Sequence, residues 1–341
     1  MSESPLKKVA VVGAGSWGTT VAALVATHAP TVLWARSPEL AAVIASTHAN
    51  PQYLPGVSLP EELRATASLE EACTDAQVVI IGVPSHGFRA VLTDAGPFID
   101  RAAAVISLSK GVEQGTNLRM TEVVTEVLEG HDPGGIGVLS GPNLAREVAA
   151  GQPTATVIAV SDEAVATRLQ QLFMSPTFRV YTNPDVVGCE IAGALKNVLA
   201  IGAGMAHGLD YGDNTKAALI TRGLAELARL GVALGGDPLT FAGLAGMGDL
   251  IATCSSPQSR NRHVGVELGK GRTLDEIVAE MNMVAEGVKT TRAVLDLAAR
   301  EQVDMPLAEF VGRVLYAGAR PADLVPELMG RRAKPELHGI R

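Results

Sequence analysis

Lys196 stands in a stretch, residues 190–208, built mostly of Ile, Ala, Gly, Leu and Val. An ammonium group is costly in such surroundings unless something pairs with it or uses it. Protonated, it supplies both a proton and a positive charge where negative charge collects on an oxygen, which is the work of a general acid facing an oxyanion. On a helix the residues three and four places away are Ala192, Gly193, Leu199 and Ala200. Three of those are small, leaving room for a substrate against that face. The alternative is a lysine whose stem packs on apolar neighbours while its head snorkels to water.

A second chemical signature lies near the start of the chain. In "VAVVGAGSWGTTVAALVA", Gly13, Gly15 and Gly18 form GxGxxG between an apolar strand and an Ala-rich helix. The first glycine allows a tight turn, the second lets a pyrophosphate approach the backbone, and the third permits close helix–strand packing. The helix N-terminus then favours the phosphate charge, so this is read as a dinucleotide site. A similar run, "GAGMAHG" at 202–208, follows a helical pattern and reads as close helix packing and termination. After the second strand, "TVLWARSPE", no acid appears before Glu39, and Arg36 stands where a ribose-reading residue is expected. An arginine there can hold a 2′-phosphate, which makes NADPH the expected coenzyme, with NADH usable. "GVPSH" at 82–86 and "SLSKG" at 107–111 both follow strands. Loops at the carboxyl ends of parallel strands line ligand sites, so Lys110 is expected to face the bound cofactor, with His86 a weaker acid–base candidate.

These residues need a scaffold. At 341 residues the chain exceeds one ordinary core, so two domains are expected. A 47% hydrophobic and 19% charged composition argues for folded cores rather than disorder. The net charge of −8, without a long basic run, disfavours nucleic acid as a partner but permits a small anion held by local cations. Cys73, Cys189 and Cys254 are far apart and form no CxxC, which points to buried thiols in a reducing compartment and to no metal site. The first residues do not resemble a signal peptide, no membrane span is expected, and the predicted location is cytoplasmic.

From residue 7 to about 181, apolar runs ("KVAVVG", "TVLWA", "VVIIGVP", "AVISLS", "GVLSG", "TATVIAV") alternate with helical segments. Their near-continuous apolar character fits a parallel sheet covered on both faces. Residues 1–188 are therefore predicted to form an α/β Rossmann-type doubly wound sheet domain. Residues 189–330 are predicted to form an all-α domain, with helices at 190–206, 215–230, 274–284, 287–301 and 306–318. Between them a Gly-rich segment, 235–262, reads as a long functional loop. Residues 331–341 read as a polar, mobile tail.

"GAGSWGT", "VPSH", "SKG", "SGPNLAREV", "EIAGALKNVLAIGAG", "NTKAALITRGLAELARLG", "TFAGLAGMGDLIATC", "SRNRHVG" and "VAEGVKTT" occur in that order. Together they resemble the bacterial NAD(P)-dependent glycerol-3-phosphate dehydrogenases over about residues 8–320. The glycine motif alone would match many unrelated enzymes; "EIAGALKNVLAI" followed by "GDLIATC…SRNR" is far more specific. The resemblance implies reversible reduction of dihydroxyacetone phosphate to sn-glycerol 3-phosphate for phospholipid synthesis, by a homodimer. It places Ser16, Trp17, Arg36, Ala145, Val284 and Glu286 at the cofactor. Lys110, Gly141 and Asn143 would lie at the substrate, Lys110 also reaching the cofactor. Lys196 would be the proton donor and acceptor. Asp249, Ser259, Arg260 and Asn261 would complete the substrate site, with Arg260 also reaching the cofactor. Many family members carry Ser or Thr where this chain has Asn143, which still donates and accepts hydrogen bonds but alters the pocket.

The residues themselves agree with that chemistry. Asp249, in what reads as a glycine-rich turn, can hold the lysine ammonium and keep it charged. Arg260 can clamp a phosphate with its planar fork while Ser259 and Asn261 complete the cradle. Arg262 is the weaker partner there, because alternate residues of a loop point apart. Another two-domain dehydrogenase, acting on a hydroxy acid or ketopantoate, would not need the "SRNR" segment. A non-catalytic NADPH sensor would not need Lys110, Lys196, Asp249 and Arg260 together.

The missing acid after the second strand has a direct test. Arg36→Asp should weaken NADPH binding and shift preference toward NADH in coenzyme titrations. Equal losses for both coenzymes would show that Arg36 does not read the 2′-phosphate.

Overall fold

The computed structural model describes residues 6–281, 285–333 and 335. The chain divides into two compact units. One runs to Ser109 and resumes over Met120–Val186; the other takes Lys110–Arg119 and the chain from Val187 onward.

The first unit is built on strands β1 (Val9–Val12), β2 (Thr31–Trp34), β3 (Ala49–Asn50), β4 (Leu54–Ser58), β5 (Arg64–Thr66), β6 (Val78–Ile81), β7 (Ala104–Ser107), β8 (Ile136–Ser140), β9 (Thr154–Val160) and β10 (Phe178–Asn183). Eight of them form one sheet in the order β10-β9-β8-β7-β6-β1-β2-β5, while β3 and β4 pair separately. Every residue of β1, β2, β6 and β7 is buried, as strands covered by helices on both faces must be. Helices α1 (Ser16–Ala26), α2 (Pro38–Thr47), α3 (Leu69–Cys73), α4 (Ser85–Ala95), α5 (Met120–Val127), α6 (Ala145–Ala149) and α7 (Glu163–Phe173) provide that cover. Val9 of β1 pairs in parallel with Thr31 on one side and Val78 on the other. The strand order reverses at β1 and β6, which is where a doubly wound sheet opens a crevice for a ligand.

The sheet departs from the expected all-parallel pattern at one edge. β9 runs antiparallel to β8, and β10 is parallel to β9. An apolar run records burial on two faces but not strand direction, so the reversal was not readable from composition.

The second unit is helical, with α8 (Val186–Gly208), α9 (Asp213–Ala233), α10 (Pro238–Ala242), α11 (Asp249–Ser255), α12 (Arg260–Gly269), α13 (Leu274–Glu280), α14 (Glu286–Arg300), α15 (Pro306–Ala317) and α16 (Leu324–Met329). α8 is its axis and is long and apolar enough to cross a membrane by length alone, yet it is mostly buried within the unit. The glycines of "GAGMAHG" serve helix packing. A Cβ on Gly204 would meet the Gly265 Cα at 2.9 Å, and one on Gly208 would meet the Gly269 Cα at 3.1 Å, so α8 and α12 touch backbone to backbone.

The segment 235–262 is not a loop. It folds into α10, a π-helical turn (Leu244–Gly248), α11 and the start of α12. Asp237 accepts from the Leu239 N–H at 2.8 Å and Pro238 opens α10. The glycines that suggest a loop are there for close packing: a Cβ on Gly246 would collide with the Phe241 backbone. The three cysteines are buried and form no disulfide. Arg331, the first residue of the expected tail, pairs with both oxygens of Asp304 at 2.7 and 2.9 Å.

Candidate active site

In the first unit, the β1–α1 turn has the form that a dinucleotide requires. Gly13 has φ +123°, and a Cβ there would lie 2.7 Å from the Gly82 carbonyl oxygen at the end of β6. A Cβ on Gly18 would collide with the Gly13 carbonyl, whereas one on Gly15 would meet nothing within 4 Å. Gly15 is the N-cap of α1 and carries no side chain to close the first turn. Two glycines are consumed by packing and the third faces open space at the positive end of a helix, so a pyrophosphate fits. Asn50 ties the turn down by donating to the Ala14 carbonyl at 2.9 Å and to Thr19 Oγ1 at 2.8 Å.

Ser16 donates to the Tyr53 carbonyl at 2.5 Å. Thr20 donates to the Ser16 carbonyl at 2.9 Å and to the Ala145 carbonyl at 3.3 Å, which brings Ala145 to the same helix end. The Trp17 ring lies 6.3 Å from that of Phe178, and its Nε1 is buried without a partner. Arg36 is exposed immediately after β2. Glu39, the first acid beyond it, accepts from Ser37 Oγ at 2.6 Å within the start of α2. Gly141 follows β8 with φ +131°, and both amide atoms of Asn143 are buried with no partner in the protein. Such orphaned groups are what a polar ligand would satisfy.

The second unit holds a cluster of charge. Lys196 Nζ donates to Asp249 Oδ1 at 2.5 Å, and Lys110 Nζ donates to Asp249 Oδ2 at 2.7 Å. Thr253, one turn along α11, accepts from Lys196 at 2.8 Å and donates to the Asp249 carbonyl at 2.7 Å. Lys196 is 5% exposed and Asp249 2%. Burial pulls the Lys196 ammonium down to about 8, opposed by the Asp249 charge and assisted by the neighbouring Lys110 charge. An ammonium so placed exchanges its proton close to neutrality, as a general acid should. Lys110, which sequence position assigns to the sheet domain, therefore belongs structurally with Asp249.

A run of carboxamides connects this cluster to the other predicted residues of the unit. Asn197 donates to the Lys110 carbonyl at 3.0 Å, Asn261 donates to Asn197 Oδ1 at 2.9 Å, and Gly287 N–H donates to Asn261 Oδ1 at 2.9 Å. Ser259 caps α12, its hydroxyl accepting from the Arg262 N–H at 3.2 Å, so Arg260 and Asn261 occupy the first helical positions rather than a loop. Arg260 remains solvent-accessible at this positive helix end. Burial by the surrounding protein lowers its pKa, and the Glu286 charge opposes that shift. Glu286 begins α14. Val284 lies outside the described residues.

The geometry of both units now has a counterpart among known proteins. Residues 8–166 match the family model for the NAD-dependent glycerol-3-phosphate dehydrogenase N-terminus, and residues 185–326 match that for its C-terminus. This chain belongs to that family. It is 54% identical over 331 residues to glycerol-3-phosphate dehydrogenase [NAD(P)+] 2 of Sphingopyxis alaskensis, covering 97% of this chain and 98% of that protein. Its identity to the Thermobifida fusca glycerol-3-phosphate dehydrogenase [NAD(P)+] is 52% over 337 residues, covering 98% of this chain and all of that one. The crystal structure of the Coxiella burnetii enzyme superposes with a TM-score of 0.90 at 38% identity, over 96% of this chain and 99% of that one. A ketopantoate reductase from Ralstonia eutropha reaches a TM-score of 0.58 at 16% identity over 91% of this chain and 97% of that one, a likeness of fold alone.

Two residues of this polar cluster escape a sequence reading. Thr253 lies four residues after Asp249, a one-turn relation that is visible only once "DLIATC" is known to be helical. Asn197 adjoins Lys196, but its role depends on Lys110, 87 residues earlier. The shared carboxylate makes a sharp stability prediction. Asp249→Asn removes the buried carboxylate that both ammonium groups share and should cost about 3–5 kcal/mol in urea unfolding, against about 1 kcal/mol for Thr253→Ala. A wild-type unfolding midpoint for Asp249→Asn would show that the carboxylate is not what balances the lysines.

Proposed function

We propose that this chain interconverts dihydroxyacetone phosphate and sn-glycerol 3-phosphate with NAD(P)H and NAD(P)⁺. The observation that carries the reading is the buried Asp249 carboxylate holding two lysine ammonium groups at 2.5 and 2.7 Å. When bound, the nicotinamide supplies or accepts the hydride. Lys196 donates its proton to the oxygen that becomes the alcohol, and in the reverse direction takes it back. Lys110 places a second positive charge beside Lys196, which favours negative charge developing on that oxygen. Asp249 orients both ammonium groups, and Thr253 fixes the Lys196 head. Arg260, at the positive end of α12, is the residue for the substrate phosphate, with Ser259 and Asn261 beside it. Gly141 and Asn143 serve the substrate, and the β1–α1 turn with Arg36, Ala145 and Glu286 serves the coenzyme. Arg36 favours NADPH. Family resemblance supports a cytoplasmic homodimer that supplies phospholipid synthesis.

The decisive assay follows loss of reduced-nicotinamide absorbance with dihydroxyacetone phosphate, beside unphosphorylated dihydroxyacetone and ketopantoate. Turnover should require the phosphorylated ketone. Lys196→Met keeps the apolar stem and should lower kcat by about a hundredfold to ten-thousandfold while NADPH still binds. Retained activity would mean that the proton comes from elsewhere.

The depressed Lys196 pKa fixes the sense of the pH profile. Reduction consumes the ammonium form, so its kcat/KM should fall as pH rises through about 8. Oxidation of glycerol 3-phosphate needs the neutral amine and should rise through the same range. Parallel profiles in the two directions would count against Lys196 as the acid–base group.

A further inference from the structure

Residues 110–119 join the helical unit although the sequence on both sides of them belongs to the sheet unit. They form a closed hairpin. Val112 bridges Arg119 in antiparallel fashion, and Glu113 N–H donates to the Leu118 carbonyl at 2.9 Å. Gly115 at φ +88° and Asn117 at φ +60° make the turn, and Thr116 Oγ1 donates to Glu113 Oε2 at 2.7 Å. Val112 is buried in the helical core. The bridge fixes the distance between Arg119 and the residues just before Val112, so moving one end of the hairpin moves Lys110.

Both ends of this strap are fastened to one stripe of α8. Arg119 Nη1 lies 2.9 Å from Glu190 Oε2, with side chains only 18% and 5% exposed. Asn197, at position i+7 from Glu190 and so about 10 Å along the same face, donates to the Lys110 carbonyl at 3.0 Å. Gly193 and Ala194, both small and buried, lie between them on the helix. A buried ion pair contributes little net stability compared with apolar packing, but it fixes register, because a shifted strap would pull two buried opposite charges apart.

We infer that the Arg119–Glu190 pair is a positioning clamp for the reaction, holding the strap so that Lys110 Nζ stays on Asp249 beside Lys196. The inference rests on the dehydrogenase reading for its kinetic consequence, and on geometry alone for its effect on Lys110. Displacement of a catalytic cation by about 1 Å can cost on the order of a hundredfold.

The test uses the full chain with Arg119→Met, Glu190→Gln, Arg119→Lys, Lys110→Ala and the double variant Arg119→Met/Lys110→Ala. Arg119→Met and Glu190→Gln should lower kcat about tenfold to a hundredfold with the coenzyme KM within about twofold. Arg119→Lys, which keeps the charge, should recover most of the loss. In the Lys110→Ala background Arg119→Met should change kcat less than about twofold, because the residue it positions is gone. A folded Glu190→Gln with wild-type kcat overturns the clamp, as does an equal Arg119→Met loss in both backgrounds. A readout independent of turnover is the rate of acetic anhydride labelling at Lys110, followed by peptide mass spectrometry. It should rise several-fold in Arg119→Met and Glu190→Gln, with Lys196 unchanged, and an unchanged Lys110 rate sinks the clamp. An inactive wild type, together with faster Lys110 labelling in Arg119→Met and Glu190→Gln, would instead sink the dehydrogenase reading and leave the clamp standing.

Discussion

Asp249 holds two ammonium groups with one buried carboxylate, and three separate parts of the helical unit converge to build that cluster. Desolvating such a cluster is expensive, and it persists only if every partner is held in place. α11 contributes Asp249 and Thr253 from one face, α8 contributes Lys196, and the 110–119 strap brings Lys110. In the proposed reaction, the positive charge of the cluster is what favours the alkoxide. At about 4 Å and an effective dielectric constant of about 20, one such charge stabilises an alkoxide by about 4 kcal/mol. That corresponds to roughly a thousandfold in rate. The same burial that makes the cluster costly also brings Lys196 to about 8, within reach of neutral pH.

The sheet unit solves a different problem, presenting backbone to a highly charged ligand. Its devices are small ones. A glycine turn leaves one position open, Asn50 braces that turn from behind, and Thr20 draws α6 onto α1. Orphaned polar atoms at Trp17 and Asn143 mark where the folded protein alone is incomplete. Glu39 is folded back onto Ser37 at the start of α2, while Arg36 stands exposed after β2.

The sequence was most legible where burial is complete. Strands such as β1 and β6 are apolar at every residue, and α8 is nearly so, leaving one reading for each. β10 alternates buried and exposed residues, and β5 has three residues, so neither stood out. The segment 235–262 resembles a loop in sequence for a physical reason: glycine ordinarily signals free backbone, whereas Gly246 is required by close approach to Phe241. The helical relation between Asp249 and Thr253 is therefore not visible in the sequence. Lys196 and Arg260 could be singled out as chemical residues, but the grouping around Asp249 depends on contacts across 53 and 139 residues, which no local pattern encodes.

Those separations also order events during synthesis. The strap is made early, yet its anchors come later: Glu190 follows Arg119 by 71 residues, and Asp249 follows Lys110 by 139. On the ribosome, then, the sheet unit could close around a segment whose apolar Val112 and cationic ends have nowhere to dock until α8 and α11 emerge. At roughly 5–20 residues per second that interval lasts several seconds or longer. The finished sheet unit cannot be cut out as an autonomous nucleotide-binding module without carrying an orphaned hairpin, and the helical unit made alone would lack one of its two lysines.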